Sequence, residues 1–188
     1  IGDVQMNLNT FLSLPTPEVA DLVRAEGPQV CVFPINGTRR WFILEHPTEA
    51  ATGGAESYLR IGGRRHVELY RLFFDHGVQT LLTPSFGPDI LMRGNDYRVL
   101  LTHGLTWFAE NEDFLDFYDE YDVRVRVYGD AERHLSGTPY KAALDAYTRL
   151  EQRTASHSSY RLFFGICAHE PIQTVVDISI RFHQQNGH

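Results

Sequence analysis

An α/β domain, with a parallel sheet flanked by helices, is the fold class this sequence predicts. Three observations carry it. Short apolar runs alternate with stretches of helical period along the chain. One run, Val30, Cys31, Val32 and Phe33, is continuously apolar, as in a strand buried on both faces. Tyr140, Ala143, Leu144, Tyr147 and Leu150 repeat at the spacing of an amphipathic helix. No repeat, low-complexity tract or linker interrupts the pattern, so residues 1–188 are read as one domain.

The elements follow in order. Residues 16–25, TPEVADLVRA, open on Thr-Pro and read as a short helix, broken by Gly27 and Pro28. The first strand comes next, at 30–33, and the small polar residues 47–54 read as a loop. A helical pattern covers 55–76, with Gly77 as its C-terminal cap. VQTLLTPSF, residues 78–86, reads as the second strand and leads into the loop GPDILMRGND. Residues 97–111 are helical, with Leu100, Leu101, Leu105 and Phe108 along one face. The run ENEDFLDFYDEYD interleaves Phe114, Leu115, Phe117 and Tyr118 at helical spacing, which makes it an amphipathic helix with a wet acidic face rather than a metal site. VRVRVYGD, residues 123–130, alternates as a strand. Thr138 and Pro139 supply a cap and first-turn proline for the helix that follows. YRLFFGICA, residues 160–168, is the fourth strand. The last segment, PIQTVVDISIRFHQQ, fits both periods: Val176, Ile178, Ile180 and Phe182 alternate, while Ile172, Val175 and Val176 suit a helix.

Composition narrows the function classes. A chain of 188 residues can bury one real core, and 43% hydrophobic with 22% charged residues is ordinary for a globular domain. The net charge of -7 argues against nucleic acid or an anionic membrane surface as partner. No apolar run reaches the roughly 18 residues of a spanning helix, and no signal peptide is visible, so a cytoplasmic protein without a transmembrane segment is expected. The first residue is Ile1 rather than Met, so a piece of a longer gene product is a further expectation. Cys31 and Cys167 lie in apolar strand-like runs and read as buried reduced thiols. The histidines show no metal-ligand spacing, and His134, His157, His169 and His183 read as surface residues. No nucleophile elbow, Walker sequence or dinucleotide fingerprint occurs.

In parallel sheets, ligands sit beyond the carboxyl ends of the strands. Three places qualify: residues 34–41, 84–95 and 129–133. The first is the richest. If Thr38 to Trp41 open a helix, its first-turn N–H groups and dipole face the loop, and Gly37 lets a phosphate approach the backbone. Arg39 and Arg40 add forked donors suited to phosphate oxygens. A strand-to-helix turn with solvated arginines accounts for the same spacing. Arg60, Arg64 and Arg65, near a helix start with Gly62 and Gly63, read either as a second phosphate-facing patch or as a solvated face.

VFPINGTRRW, at the end of the first strand, resembles the signature of the cis-prenyltransferases, where a hydrophobic strand leads into Met-Asp-Gly-Asn-Arg-Arg-Trp. The likeness continues in order through HGVQTLLTPSF, VRVRVYGD and YRLFFGICA, across nearly the whole chain, although only VFPINGTRRW and VRVRVYGD are specific. Pro34 and Thr38 follow a divergent branch, the tuberculosinol and tuberculosinyl-adenosine synthase type, whose turn reads Phe-Pro-Phe-Asp-Gly-Thr-Arg-Arg-Trp. Tyr58 falls where that branch carries a functional tyrosine, at the same distance from Phe74, Asp75, His76 and Gly77.

The resemblance implies a cis-prenyltransferase-like fold and an enzyme that binds a prenyl diphosphate, C20 in the nearest branch, and ionises its allylic bond. The cation would then be quenched or cyclised. It implies catalytic roles for Asn36, Tyr58, Arg39 and Arg40, and substrate contacts from Gly37, Thr38, Arg39, Arg40, Trp41, Arg60 and Phe86. It further implies Mg²⁺ and a homodimer. Phe42, Tyr58, Phe86 and Trp107 are candidates for aromatic faces that stabilise a cation. Four departures qualify it. Asn36 stands where the family has an aspartate, and an amide is a poor Mg²⁺ ligand beside a carboxylate. A change made to trap substrate, a natural enzyme leaning on its arginines, and a silent partner subunit all fit that residue. Gly87, Pro88, Asp89, Ile90 and Leu91 replace the Ser-x-x-Asn-Trp of chain-elongating enzymes, which disfavours elongation. CAHEP, at 167–171, stands where those enzymes have Tyr-Gly-Gly-Arg. The family's C-terminal Arg-x-Ser-Gly-Glu segment has no counterpart before His188, so the C-terminal part of the fold is expected to be missing.

Overall fold

The structure is a computed structural model that describes residues 7–87 and 95–168. Four strands, β1 (Val30–Val32), β2 (Thr80–Phe86), β3 (Val123–Tyr128) and β4 (Tyr160–Ile166), pair in parallel in the order β1-β2-β4-β3. The helices are α1 (Leu8–Leu12), α2 (Thr16–Ala25), α3 (Thr38–Glu45), α4 (Pro47–Thr52), α5 (Gly54–Asp75), α6 (Asn95–Glu110), α7 (Glu112–Glu120), α8 (Ala131–Leu135) and α9 (Lys141–Arg153). No described helix is long and apolar enough to cross a membrane. The final segment of ambiguous period, with His169 and His183, and most of the loop after β2 lie outside the described residues.

Register decides which face of the sheet is core. Cys31 pairs with Leu81, Leu81 with Leu162, and Leu162 with Val125. Paired residues of a parallel sheet point the same way, so this row is one face. Leu81, Leu162 and Val125 are fully buried in it, against Tyr70 and Phe74 of α5, Leu105 of α6 and Phe114, Phe117 and Tyr118 of α7. The aromatic rings interlock: Phe74 stacks on Phe117 at 6.0 Å and on Tyr160 at 4.5 Å. Each fully buried side chain of this size contributes about 1.5–3 kcal/mol.

The two edges are treated differently. β1 is an edge strand, and Val30 and Val32 are 62% and 59% exposed, not buried on both faces as the apolar run predicts. A three-residue edge strand can point one face out and still read as a continuous apolar run. At the other edge, α9 caps β3: the Val125 N–H donates to Thr154 Oγ1 at 3.1 Å, and the Val127 N–H to Glu151 Oε1 at 2.7 Å. Unpaired edge donors are thus satisfied by side chains rather than left open.

Other expectations need correcting. Residues 47–52 form α4, not a loop, with Pro47 in the first turn where its missing N–H costs nothing. α9 begins at Lys141, because Thr138 Oγ1 accepts from Tyr140 N in a turn that precedes the helix. His157 is half-buried, its Nδ1 at 3.1 Å from the Val123 carbonyl. Neither cysteine forms a disulfide among the described residues; Cys167 is buried and Cys31 half-buried.

Two predictions follow from the β3 edge and its neighbour. Thr154 is fully buried, and its hydroxyl also donates to the Leu150 carbonyl. Thr154→Val leaves the Val125 N–H without its acceptor and should cost about 1–3 kcal/mol, read as a lower denaturation midpoint at unchanged slope. Asp122, at φ 51, accepts from the Ser159 hydroxyl and from the Ser158 and Ser159 N–H groups. These bonds hold its carboxyl down from 3.8 to about 2, the Ser159 hydroxyl first among them. A depressed carboxyl stabilises above its unfolded value and loses that contribution as pH falls toward the folded one. The melting-temperature gap between the wild type and Asp122→Asn should therefore be constant above about pH 5 and shrink between 3.8 and about 2.

Candidate functional site

β1 and β2 are neighbours, and the chain leaves their carboxyl ends into one cleft of about 390 Å³. Its mouth is the start of α3. Gly37 sits at the N-cap with φ 77, a left-handed conformation that a side chain strains, and offers no capping oxygen. The first intrahelical bond runs from Trp41 N to Gly37 O at 2.9 Å. The N–H groups of Thr38, Arg39 and Arg40 have no acceptor in the helix, and no acidic residue occupies the first turn. α7 shows the contrast: Asn111 caps it, with Glu112 and Asp113 in the first turn.

The arginines add to this open positive end. Arg40 folds back over Gly37, its guanidinium 3.6 Å from where a Cβ would stand. Among the described residues neither Arg39 nor Arg40 forms an ion pair, whereas Arg64, Arg65, Arg71, Arg149 and Arg153 all do. Among the described residues, then, these two cations stand at a helix N-terminus without an acidic partner, although the chain carries a net charge of -7. That arrangement favours a diphosphate-sized anion.

One face of α5 forms the long wall. Tyr58, Gly62, His66 and Tyr70, each four residues apart, all line the cleft. The Tyr58 and Thr38 hydroxyls hydrogen-bond at 2.7 Å, joining that wall to the α3 turn. Gly63 lets α6 approach: a Cβ there would lie 2.6 Å from Trp107 Nε1 and 3.4 Å from Phe114. Ile35, Phe86, Leu105, Trp107 and Phe108 make the interior apolar. At its floor the wholly buried Tyr70 hydroxyl stands beside Thr83 without a well-formed hydrogen bond. Burial pushes the Tyr70 phenol well up, and Thr83 offsets part of that rise. Burial pushes the His66 imidazole down, against the opposing pull of its bond to the Gly62 carbonyl.

The structure therefore brings together Asn36, Gly37, Thr38, Arg39, Arg40, Tyr58, Phe86 and Trp107. Asn36 is exposed at the mouth. Trp41 instead lines an adjoining cavity of about 350 Å³, with Asn36, Thr38 and His66, and its ring lies 5.9 Å beneath the Arg65 guanidinium. Phe42 is 3% exposed behind the wall, at 5.5 Å from the Tyr58 ring, and packs rather than lines. Arg60 is exposed on α5 and lines neither cavity; Arg64 pairs with Asp113 and Arg65 with Glu68, and all three lie well inside α5 rather than at its start. Residues 129–133 do not reach the cleft, and of the described residues of the second place Pro84, Ser85 and Phe86 do. His66, Tyr70 and Thr83 were not singled out by the sequence reading; the four-residue step from Tyr58 was the signal for the first two. No group of three His, Cys, Asp or Glu that could hold a metal occurs among the described residues.

Sequence comparison places the chain beside two curated proteins. It is 35% identical over 178 residues to tuberculosinyl adenosine transferase of Mycobacterium tuberculosis, covering 94% of this chain and 58% of that protein. It is 29% identical over 147 residues to (+)-kolavelool synthase of Herpetosiphon aurantiacus, covering 73% of this chain and 47% of that one. The chain thus spans about half the length of the curated relatives it matches. No protein-family model matches it. Among solved structures, lavandulyl diphosphate synthase from Lavandula x intermedia, in complex with dimethylallyl diphosphate, superposes with a TM-score of 0.61 at 16% identity, over 90% of this chain and 65% of that one. The fold is that of the cis-prenyltransferases.

The Gly63 contact is directly testable. Gly63→Ala drives a methyl into the Trp107 indole and should cost about 1–3 kcal/mol. Combining it with Trp107→Leu should recover part of that loss, so the two changes are non-additive in a denaturation cycle.

Proposed function

We propose that this sequence relative of tuberculosinyl adenosine transferase, folded as a cis-prenyltransferase, is an enzyme of the terpene-synthase type that ionises a prenyl diphosphate. The observation that carries the proposal is the uncapped start of α3, with two arginines that form no ion pair among the described residues, at the mouth of an apolar cleft. A prenyl diphosphate has the same polarity: a compact anion on a hydrocarbon tail. The N–H groups of Thr38, Arg39 and Arg40 would hold the diphosphate, with both guanidinium groups as further donors. The Tyr58–Thr38 bond would fix the orientation of the turn. The tail would lie against Phe86, Trp107 and Phe108. A C20 tail is part of the proposal on the strength of the sequence kinship with tuberculosinyl adenosine transferase.

Ionisation breaks the allylic carbon–oxygen bond, and the electron pair leaves with the diphosphate. Charge grows on oxygens that already face fixed donors, which act without reorganising; one such donor is worth roughly 3 kcal/mol. The cation would remain among aromatic faces, each worth about 0.5–2 kcal/mol, in a cleft lined largely by apolar side chains. The described residues do not form a metal centre: Asn36 brings a neutral amide oxygen and no carboxylate stands beside it in either cavity. Mg²⁺ therefore enters the proposal only as an ion carried by the diphosphate, and the chain's own donors meet the leaving group's charge. A homodimer belongs to the same proposal. Asn36 also supports a second reading, a silent subunit that binds the diphosphate without turning it over.

Turnover of C10, C15 and C20 prenyl diphosphates, read as diphosphate release, tests this. Arg39→Ala with Arg40→Ala should lower release and diphosphate affinity by about a hundredfold or more; an unchanged affinity contradicts the site. An amide at position 36 spares the bound diphosphate a like charge, so Asn36→Asp should bind diphosphate more weakly without Mg²⁺ and turn over faster with it. Release by the Asp form alone would favour the silent-subunit reading for the chain as it stands.

A further inference from the structure

We propose that His66 is the base that deprotonates a water molecule as that water attacks the allylic cation in the cleft, an inference that rests on the terpene-synthase reading above. His66 lies on the wall shared by the two cavities, one helical turn beyond Gly62 and one short of Tyr70. Its Nδ1 is 2.6 Å from the Gly62 carbonyl oxygen, which can only accept. Nδ1 therefore carries the proton, and the neutral ring keeps its lone pair on Nε2. Edge contacts with Phe108 at 5.3 Å and Tyr70 at 6.2 Å hold the ring in place. Burial keeps the imidazole neutral at neutral pH, the state a base needs before it acts.

Elimination among the lining residues points the same way. Among the described residues no aspartate or glutamate lines either cavity. The described charged or titratable groups that line the cavities with His66 are Arg39 and Arg40 from α3, and Tyr58, Arg65 and Tyr70 from α5. β2 presents Thr83 and Ser85, and α6 presents Trp107 and Phe108, none of which titrates near neutrality. The arginines are always protonated, burial holds the Tyr70 phenol protonated and the Tyr58 hydroxyl is bonded to Thr38, so among the described lining residues His66 presents the neutral lone pair. The orphaned Tyr70 hydroxyl and its neighbour Thr83 offer the hydrogen bonds that would position the water.

The step balances. The allylic carbon–oxygen bond breaks and its electron pair goes to the diphosphate. The water oxygen forms a new bond to the cationic carbon, one O–H bond breaks, and that proton moves to Nε2. The product is a prenyl alcohol, and the imidazolium returns the proton to solvent.

The test compares the wild type with His66→Gln and Tyr70→Phe, using C15 and C20 diphosphates in ¹⁸O-labelled water, with alcohol, hydrocarbon and diphosphate release measured together. The inference expects the alcohol-to-hydrocarbon ratio of His66→Gln, counted per diphosphate released, to fall at least tenfold; Tyr70→Phe lowers that ratio less. In the wild type the alcohol fraction should fall as pH drops through the His66 titration while diphosphate release does not follow. That profile decides the matter even if His66→Gln fails to fold. An unchanged ratio in folded His66→Gln, or a pH-independent alcohol fraction in the wild type, overturns the inference and assigns the proton to the departing diphosphate. If neither the wild type nor Asn36→Asp releases diphosphate, the terpene-synthase reading falls, and this inference falls with it.

Discussion

Three backbone N–H groups at the start of α3 have no acceptor within their helix, and the cleft is arranged around them. Gly37 is the cause: its left-handed turn aims the helix start back at the strand ends, and it has no side chain with which to cap it. Most helix starts resolve such donors locally, as Asn111 does for α7. Here the open end is kept, and Arg39 and Arg40 concentrate further positive charge on it. On the proposed reading, an anion of the right size would take up these donors and the two arginines together.

The remainder of the cleft follows from where that helix start must sit. β1 is short and at the edge, so the turn after it lies beside the end of β2 and faces α5. Small residues on α5 then set the width. Gly62 keeps one wall flat, and Gly63 admits the Trp107 indole to within van der Waals contact of the backbone. Among the described residues, the result is a site polar at the mouth and largely apolar within, with His66, Tyr70, Thr83 and Ser85 as its inner polar groups. Ionising a bond between a polar head and an apolar tail is the chemistry such a gradient supports best.

Much of this was legible in the sequence. The four strands and the long helices come from apolar periodicity, and the α3 turn from the Gly-Thr-Arg-Arg-Trp string. What local pattern could not supply was relative position. The apolar run at Val30 and Val32 does not reveal that its strand lies at an edge, because edge and central strands can share one local sequence. Arg60 looked equivalent to Arg64 and Arg65, yet helical phase sends Arg60 and Arg64 away from both cavities and leaves Arg65 on the adjoining one, while Asp113 pairs with Arg64 and Glu68 with Arg65. His66 and Tyr70 were hidden for the opposite reason: a lone histidine and tyrosine in a helix become site residues only when the step from Tyr58 is aligned with a cavity.

The account stands or falls on whether an anion takes up the α3 start. Amide ¹H–¹⁵N spectra of the protein titrated with inorganic diphosphate read this group by group. The account predicts saturable downfield shifts centred on Thr38, Arg39 and Arg40, with Tyr58 following through its bond to Thr38. Shifts confined to another surface, or none at α3 while diphosphate binds, would contradict it.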